Sequence, residues 1–320
     1  MQLSIICVNW NSVQYLRECI ASVYENTRGM SFEILVVDNA SPEGGVDGLR
    51  DQFPEIAIIK SSKNLGFAGA NNIGFKQSVG EYVLFLNPDT KLVGPAIIIL
   101  MNHIRTLHDA GIVGCKMLNT DLSVQITSIQ KFPTILNQIV NAEYLQLRWP
   151  GCPLWDIAPL FHAQAEPIKI EVIPGACMLM RRSVFEQVGM FSEDYFMYAE
   201  DLDLNYKLKQ AGYTNYYIGE ATIVHHGGRS SSQQNANQWA TVMKYRAMTR
   251  YYRKTRGRAY EEAYRASMGC VALGRLVLLT LMYPFGKLFW DKQSMRNAFE
   301  KWKVILKWAI GRHKLALVDR

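Results

Sequence analysis

The sequence predicts an α/β fold built on a mostly parallel sheet. Short apolar runs alternate with helix-like segments from residue 2 to residue 117, the pattern of strand–helix–strand units. The runs are apolar throughout rather than alternating, as strands covered on both faces must be. Asn or Asp recurs where several of these runs stop, at the carboxyl ends of strands, where such sheets bind ligands.

The first run, 2–8, ends at Asn9-Trp10-Asn11. It has no basic residues before it, so it reads as a buried strand and not a signal peptide. Ser12 then caps a helix whose apolar positions include Tyr15, Leu16, Cys19, Ile20 and Val23. Residues 32–37 form a second strand that stops at Asp38-Asn39, and 56–60 a third. The Gly-punctuated stretch from Asn64 to Asn72 opens a helix reaching about Ser78. A fourth strand, 82–86, stops at Asn87-Pro88-Asp89-Thr90, and a helix over 94–107 and a strand over 112–117 follow.

Residues 119–168 hold Pro133, Pro150, Pro153, Pro159 and Pro167 and read as an irregular insert, with helix near 134–147. Order resumes over 171–180. A helix from Glu200 to Ala211 ends at Gly212, a stop signal. Residues 216–218 and 222–225 read as short strands, and from about Gln238 the chain is helical. The expected organisation is an α/β domain over 1–240, including the irregular insert at 119–168, and a basic helical region over 241–320.

Composition narrows the function. At 320 residues and 49% hydrophobic, the chain can bury a full core. With 20% charged residues and no low-complexity tract, disorder is excluded. Residues 241–320 hold 18 Lys/Arg against 5 Asp/Glu, a net of +13; since the whole chain carries +7, the first 240 residues carry −6. A basic tail on an acidic body points to an anionic surface. Nucleic acid is set aside, because no recognised binding module or aromatic platform accompanies the charge. The six cysteines form no C-x-x-C pair, which reads as reduced thiols in a cytoplasmic protein.

Four constellations could carry chemistry. Asn87-Pro88-Asp89-Thr90 is by composition a turn and helix cap. At a strand end, Asp89 is also an oxygen ligand suited to Mg²⁺ or Mn²⁺, which would stabilise a departing diphosphate. Asp38 could accept from a base or ribose, and Gly66 and Gly69 let backbone approach a ligand. Glu200-Asp201-x-Asp203 follows an aromatic run. Acids there complement the helix dipole, and a crowded carboxylate can also serve as a general base. In His225-His226-Gly227-Gly228 an imidazole could join the carboxylates on a metal.

Together these motifs resemble glycosyltransferase family 2. The shared runs are Ser4–Asn11, Val36–Ser41, Asn64–Asn72, Leu86–Asp89, Pro174-Gly175-Ala176, Glu200–Leu204 and His225–Gly228. They are most similar to the rhamnosyltransferase-type branch. The resemblance covers about residues 2–230 and implies the GT-A fold with a C-terminal helical extension. It implies that Asp201 is the general base, that Asp89 and His225 bind the metal, and that Asn9, Asp38, Asn64, Gly66, Asn72 and Asn87 line the donor nucleotide. Gly175, Ala176 and Glu200 would face the acceptor or the sugar. Two departures are Asn87, neutral where the family's D-x-D motif opens with an acid, and Ser192-Glu193, where Asp-Glu is common.

The expected activity is inverting transfer from a nucleoside-diphosphate sugar to a hydroxyl of a glycan or lipid-linked acceptor, in polysaccharide or cell-envelope synthesis. A sugar nucleotidyltransferase is the rival with the same sheet, but Asn9-Trp10-Asn11-Ser12 supplies no basic phosphate loop. A non-catalytic carbohydrate-binding protein would have no need of both Asp89 and Asp201. In the tail, 271–285 is apolar but broken by Arg275. Phe299, Trp302, Ile305, Leu306 and Ala309 then form one face of a basic helix. Residues 271–310 therefore suit an anionic membrane surface, or packing on the catalytic body or on a second subunit in a homodimer. The expected location is cytoplasmic, peripheral on the membrane's cytoplasmic face.

Overall fold

The computed structural model describes residues 1–140, 142–162, 166–227, 234–283 and 292–312. Gly228, which closes the histidine–glycine run, lies outside the described residues, as do 284–291 of the basic surface and 141 and 163–165 of the insert.

The predicted parallel strands form. Strands β1 (Leu3–Asn9), β2 (Phe32–Asp38), β3 (Ala57–Lys60) and β4 (Tyr82–Leu86) pair in parallel in the order β3-β2-β1-β4. Their connections include helices α1 (Val13–Asn26) and α2 (Gly66–Gln77). After β4 come β5 (Thr90–Val93), α3 (Ala96–Thr106) and β6 (Ala110–Leu118).

The second half completes a mixed sheet. It contributes β7 (Ile168–Ile170), β8 (Cys177–Arg181), α6 (Arg182–Gln187), α7 (Glu200–Gln210) and β9 (Thr214–His225). Strand β8 enters antiparallel between β4 and β6, and β9 pairs in parallel with β6. The sheet order is β3-β2-β1-β4-β8-β6-β9-β5, with β7 also on β9.

The apolar strand runs serve two cores because successive side chains point to opposite faces. Ile5, Cys7, Ile34, Val36, Leu84 and Leu86 pack with Leu16 and Ile20 of α1 and Leu100 and Ile104 of α3. Ile6, Leu35, Val37, Val83 and Phe85 pack on the other side with Phe75 of α2 and Leu204 and Leu208 of α7. The strand ends are thereby fixed between two helical layers.

Several elements differ from expectation. Strand β5 occupies residues expected to be turn; its four residues, alternately buried and exposed, are too few to show a period. The two expected short strands are one, β9. Its pairing with β6 shifts register between Cys115 and Lys116, which absorbs residues 219–221. Order resumes at β7, Ile168–Ile170, before the expected Glu171, with β8 following at Cys177, and the expected helix over 134–147 is two short ones, α4 (Ile135–Ile139) and α5 (Glu143–Arg148).

Contacts divide the chain into two units, one of residues 1–132 and 142–230, the other of 133–141 and 231–320. In the second, α8 (Gln234–Arg256), α9 (Arg258–Met282) and α10 (Lys292–Ala309) pack together around Tyr252, Tyr264, Met268, Ile305 and Trp308. The Arg265 guanidinium donates to the Trp308 and Ala309 carbonyls. A helix C-terminus leaves those carbonyls open and its dipole favours a cation. Of the α10 face expected at a membrane, Ile305 is fully buried and Phe299, Trp302, Leu306 and Ala309 are half-buried; the inward face is made by Met295, Val304, Ile305 and Trp308. That inward face packs on α8 and α9 within the bundle.

Candidate active site

The polar rim begins where β1 and β2 end. Asn9 and Asp38 are register partners, and the Asn9 amide donates to Asp38 Oδ1 at 2.8 Å and to Ser41 Oγ at 3.0 Å. Asn9 is fully buried and Asp38 is 8% exposed, so Asn9 holds the carboxylate while Asp38 keeps an accessible edge. Asn39, which sequence reasoning passed over, organises the next loop. Its amide donates to Asn64 Oδ1 and the Gly66 carbonyl, and its carbonyl oxygen accepts from Leu65 N–H.

Gly66 starts α2 with φ +71°, and a Cβ there would lie 1.9 Å from the Phe196 carbonyl oxygen. Only glycine meets both demands. Phe67 N–H donates to that same oxygen at 3.1 Å. The glycine-punctuated stretch therefore docks on the aromatic run that leads into α7. Asn72 is 1% exposed. Its amide donates to the Phe191 carbonyl and Glu193 Oε1, and it accepts from Phe191 N–H. Its hydrogen bonds are spent on the 191–193 loop, and Glu193 is anchored by the same bonds.

The Asp89–His225 corner depends on β5. Strand β4 leads to Asn87, whose N–H donates to the Ala176 carbonyl at 2.9 Å. The chain turns at Pro88-Asp89 and re-enters the sheet as β5, where Thr90 pairs with His225 of β9. That register sets Asp89 Oδ1 3.4 Å from His225 Nε2, and His226 N–H donates to the Asp89 carbonyl. The Asn87 amide lies 3.4 Å from His225 Nε2. Gln125, inside the insert, faces the other ring nitrogen, with Oε1 2.9 Å from Nδ1. Its Nε2 is engaged on Asn119 Oδ1, so Oε1 accepts from Nδ1–H, which leaves the Nε2 lone pair toward Asp89.

An imidazole lone pair and a carboxylate oxygen 3.4 Å apart suit one divalent cation. Two ligands on adjacent corners of an octahedral ion with ~2.1 Å bonds would be about 3 Å apart. No group of three or more His, Cys, Asp or Glu side chains gathers for a metal among the described residues. Such a pair would leave coordination positions for substrate oxygens.

The acids of α7 have three different environments, which the sequence did not separate. Asp203 is nearly fully buried and accepts from Ser192 Oγ and Tyr195 O–H, so it staples the preceding loop. Asp201 Oδ2 accepts from Gly175 N–H at 3.1 Å and Oδ1 from Leu202 N–H at 2.8 Å. Glu200, expected to face substrate, is 7% exposed. Burial, and then the neighbouring Asp201 charge, push its carboxyl up to about 8, so it holds its proton at neutral pH. Tyr198 and Ala199, just before these acids, both have positive φ, 70° and 63°. Such backbone costs about 1–3 kcal/mol per residue and is found where a site requires it.

A buried amide ladder, also missed, sets the Asp201–Gly175 distance. Asn205 donates to the Ile173 and Asp201 carbonyls and accepts from Ile173 N–H. Asn215 of β9 donates to Asn205 Oδ1 and accepts from Ile112 N–H. A Cβ on Gly175 would lie 3.3 Å from Phe67 Cζ and 3.7 Å from Asp201 Cβ, so this segment fits between α2 and α7. The signal for the ladder was slight: Asn215 lies in a largely apolar strand, while Asn205 lies in a charged helix where an asparagine does not stand out.

Comparisons with known proteins bear on the family and the fold. The family model for glycosyl transferase family 2 matches residues 4–189, and that for glycosyl transferase family group 2 matches 153–304. N-acetylglucosaminyl-diphospho-decaprenol L-rhamnosyltransferase of Mycobacterium tuberculosis is 29% identical over 255 residues, covering 76% of this chain and 81% of that one. Rhamnosyltransferase WbbL of Escherichia coli is 26% identical over 194 residues, covering 58% and 70%. The mannosyltransferase PcManGT of Pyrobaculum calidifontis, solved with GDP-Man and Mn²⁺, superposes with a TM-score of 0.60 at 17% identity, over 97% of this chain and 86% of that one.

Proposed function

The chain belongs to glycosyl transferase family 2, and from that premise we propose that it moves a sugar, with inversion, from a nucleoside-diphosphate donor to a hydroxyl of a lipid-linked glycan. The fold is GT-A, and the activity is that of a nucleotide-sugar glycosyltransferase of cell-envelope or polysaccharide synthesis. Catalysis is assigned to residues 1–240. A relative whose name gives an N-acetylglucosaminyl-diphospho-decaprenol acceptor supports the lipid-linked reading. So does the basic region 241–320, suited to an anionic membrane surface.

The observation that carries the proposal is the Asp89–His225 pair, 3.4 Å apart, after the end of β4 and in the same sheet as the Asn9–Asp38 rung. Asp38 receives the base or ribose, and the Asn64–Gly66 loop borders it. Asp89 and His225 would hold Mg²⁺ or Mn²⁺, the latter present with a fold relative. When bound, the ion would neutralise charge on the leaving diphosphate. Asn87 and Gln125 keep the imidazole in the tautomer that can bind it.

Asp201 takes the proton. The acceptor O–H gives its hydrogen to an Asp201 carboxylate oxygen as the acceptor oxygen bonds to the anomeric carbon. The bond from that carbon to the donor phosphate oxygen breaks, and the electron pair leaves with the diphosphate. The Gly175 N–H and the Asn205 ladder orient the carboxylate. Glu200, neutral at pH 7, adds no second charge beside it.

The test is a panel of uridine, guanosine and thymidine diphosphate sugars with and without Mn²⁺, scored by protection from thermal unfolding. The protecting donor is then offered with polyprenyl-diphosphate N-acetylglucosamine. A product heavier by one glycosyl residue is expected. Pyrophosphate release from a nucleoside triphosphate and sugar phosphate would replace this reading with nucleotidyl transfer.

A further inference from the structure

Among the described residues, α9 is a long helix with an apolar face open to solvent. It is long and apolar enough to cross a membrane, yet only 17% of its most apolar window is buried. Its inward face is committed: Tyr264, Met268, Ala272 and Leu279 are buried, and Gly269 lies close enough to Ala309 that a Cβ would stand 3.2 Å from the alanine methyl. Its outward face carries Ala263, Ala266, Cys270, Leu273, Val277 and Leu281, all exposed. They recur at three- and four-residue steps, one stripe of a helix, about 27 Å long at 1.5 Å per residue. Leu273, Val277 and Leu281 are 55%, 52% and 67% exposed, and Leu278 at the stripe's edge is 48% exposed. A row of large aliphatic side chains this open marks an interaction surface.

We propose that this stripe of α9 lies in the headgroup–acyl boundary of an anionic bilayer, parallel to the membrane plane. The proposal rests on the reading that the basic region meets a membrane, and it names the face that does so. Charge complementarity selects the occupant. The stripe belongs to a region with a net charge of +13, which attracts anionic headgroups and repels a second copy of itself. The neighbouring helix excludes a crossing. Helix α10 packs along α9, with the Arg265 guanidinium on the α10 C-terminus and the Arg275 guanidinium 5.7 Å over the Trp302 ring. Arg296, Lys301, Lys303 and Lys307 of α10 are exposed over the same length. A spanning α9 would carry these cations into hydrocarbon, which is costly. Lying flat, the apolar stripe enters the boundary while the cations stay at the headgroups.

The test is flotation of the full chain with vesicles of phosphatidylcholine alone and of phosphatidylcholine with 30% phosphatidylglycerol, where roughly tenfold stronger binding to the anionic vesicles is expected. The triple variant L273Q/V277Q/L281Q should lose at least tenfold in partitioning to them while keeping its melting temperature and its protection by nucleotide sugar. In a C152S background, Cys270 on the stripe carries a polarity-sensitive dye, whose emission should shift to the blue on anionic vesicles. Wild-type binding with an unchanged triple variant and no dye shift would overturn the stripe while leaving the membrane reading in place. Absence of wild-type binding would overturn both. A dimer that the triple variant dissolves without changing vesicle binding would assign the stripe to a second copy instead.

Discussion

The two acidic corners of the site are held in different ways. At Asp89 and His225 the sheet does the positioning: Thr90 opposite His225 in the β5–β9 ladder fixes both residues, and one glutamine sets the tautomer. At Asp201 buried side chains do it: the Asn205–Asn215 ladder, the Gly175 N–H and two left-handed residues aim a helix N-terminus. The first corner depends on backbone register, which single substitutions rarely move. The second depends on polar bonds in a dry interior, where losing one partner leaves another unsatisfied. Substitutions at the first corner should therefore act on metal and donor, and those at the second on turnover and fold together.

The sharpest break is expected at Asp201. Asp201→Asn should lower kcat by about 10²–10⁴-fold, the scale of a lost general base, with nucleotide-sugar protection unchanged. Near-normal turnover would remove Asp201 from that role. Next come Asp89→Ala and His225→Ala, each expected to lower activity by roughly 10²-fold and to abolish stimulation by Mn²⁺ or Mg²⁺. Wild-type activity should stop with EDTA and return with either ion; activity indifferent to chelation would dissolve the metal corner. Gln125→Ala should be milder, raising the Mn²⁺ needed for half-activity by about 10–100-fold, with full rescue at excess metal. An unchanged metal requirement would mean that the ring needs no outer partner.

Two smaller effects probe the second corner. Gly66→Ala places a methyl against the Phe196 carbonyl at positive φ and should cost about 1–3 kcal/mol in chemical denaturation. A neutral result would show that the loop yields. Glu200 is the finest test. Its carboxyl is pushed from 4.5 to about 8, so between those pH values the folded chain keeps a proton that the unfolded chain releases. Stability from this group is full below about 4.5, declines as pH rises through the window and changes no further above about 8. Glu200→Gln should flatten that decline in melting temperature, and an unaltered slope would mean that Glu200 is ionised in the fold.

The strands legible in the sequence were those apolar on both faces, because burial writes itself into composition. Each motif acid was visible as a residue at the end of an element. What could not be read was long-range. Strand β5 has no period of its own, and its partner lies far along the chain. Gln125 sits in an insert without periodicity, so nothing local distinguishes it from a surface glutamine. Glu200, Asp201 and Asp203 form one acidic cluster in sequence, but tertiary packing buries one as a proton holder, sets one on the Gly175 N–H and makes one a staple. On α10 an amphipathic pattern was visible, but the inward face is Met295, Val304, Ile305 and Trp308, of which only Ile305 was expected, and a pattern does not say whether an apolar face meets lipid or a neighbouring helix.

The pairing of β5 with β9 also has a consequence for synthesis. Asn87 and His225 lie 138 residues apart, and β9 is the last strand of the sheet. A ribosome adds residues in order, at about 5–20 per second, so the donor-side acids are extruded seconds before the histidine that completes them. Contacts this distant in sequence close late in folding. A nascent chain therefore cannot bring Asp89 and His225 together prematurely, and a truncation that stops short of β9 should be inert even where its first four strands have paired.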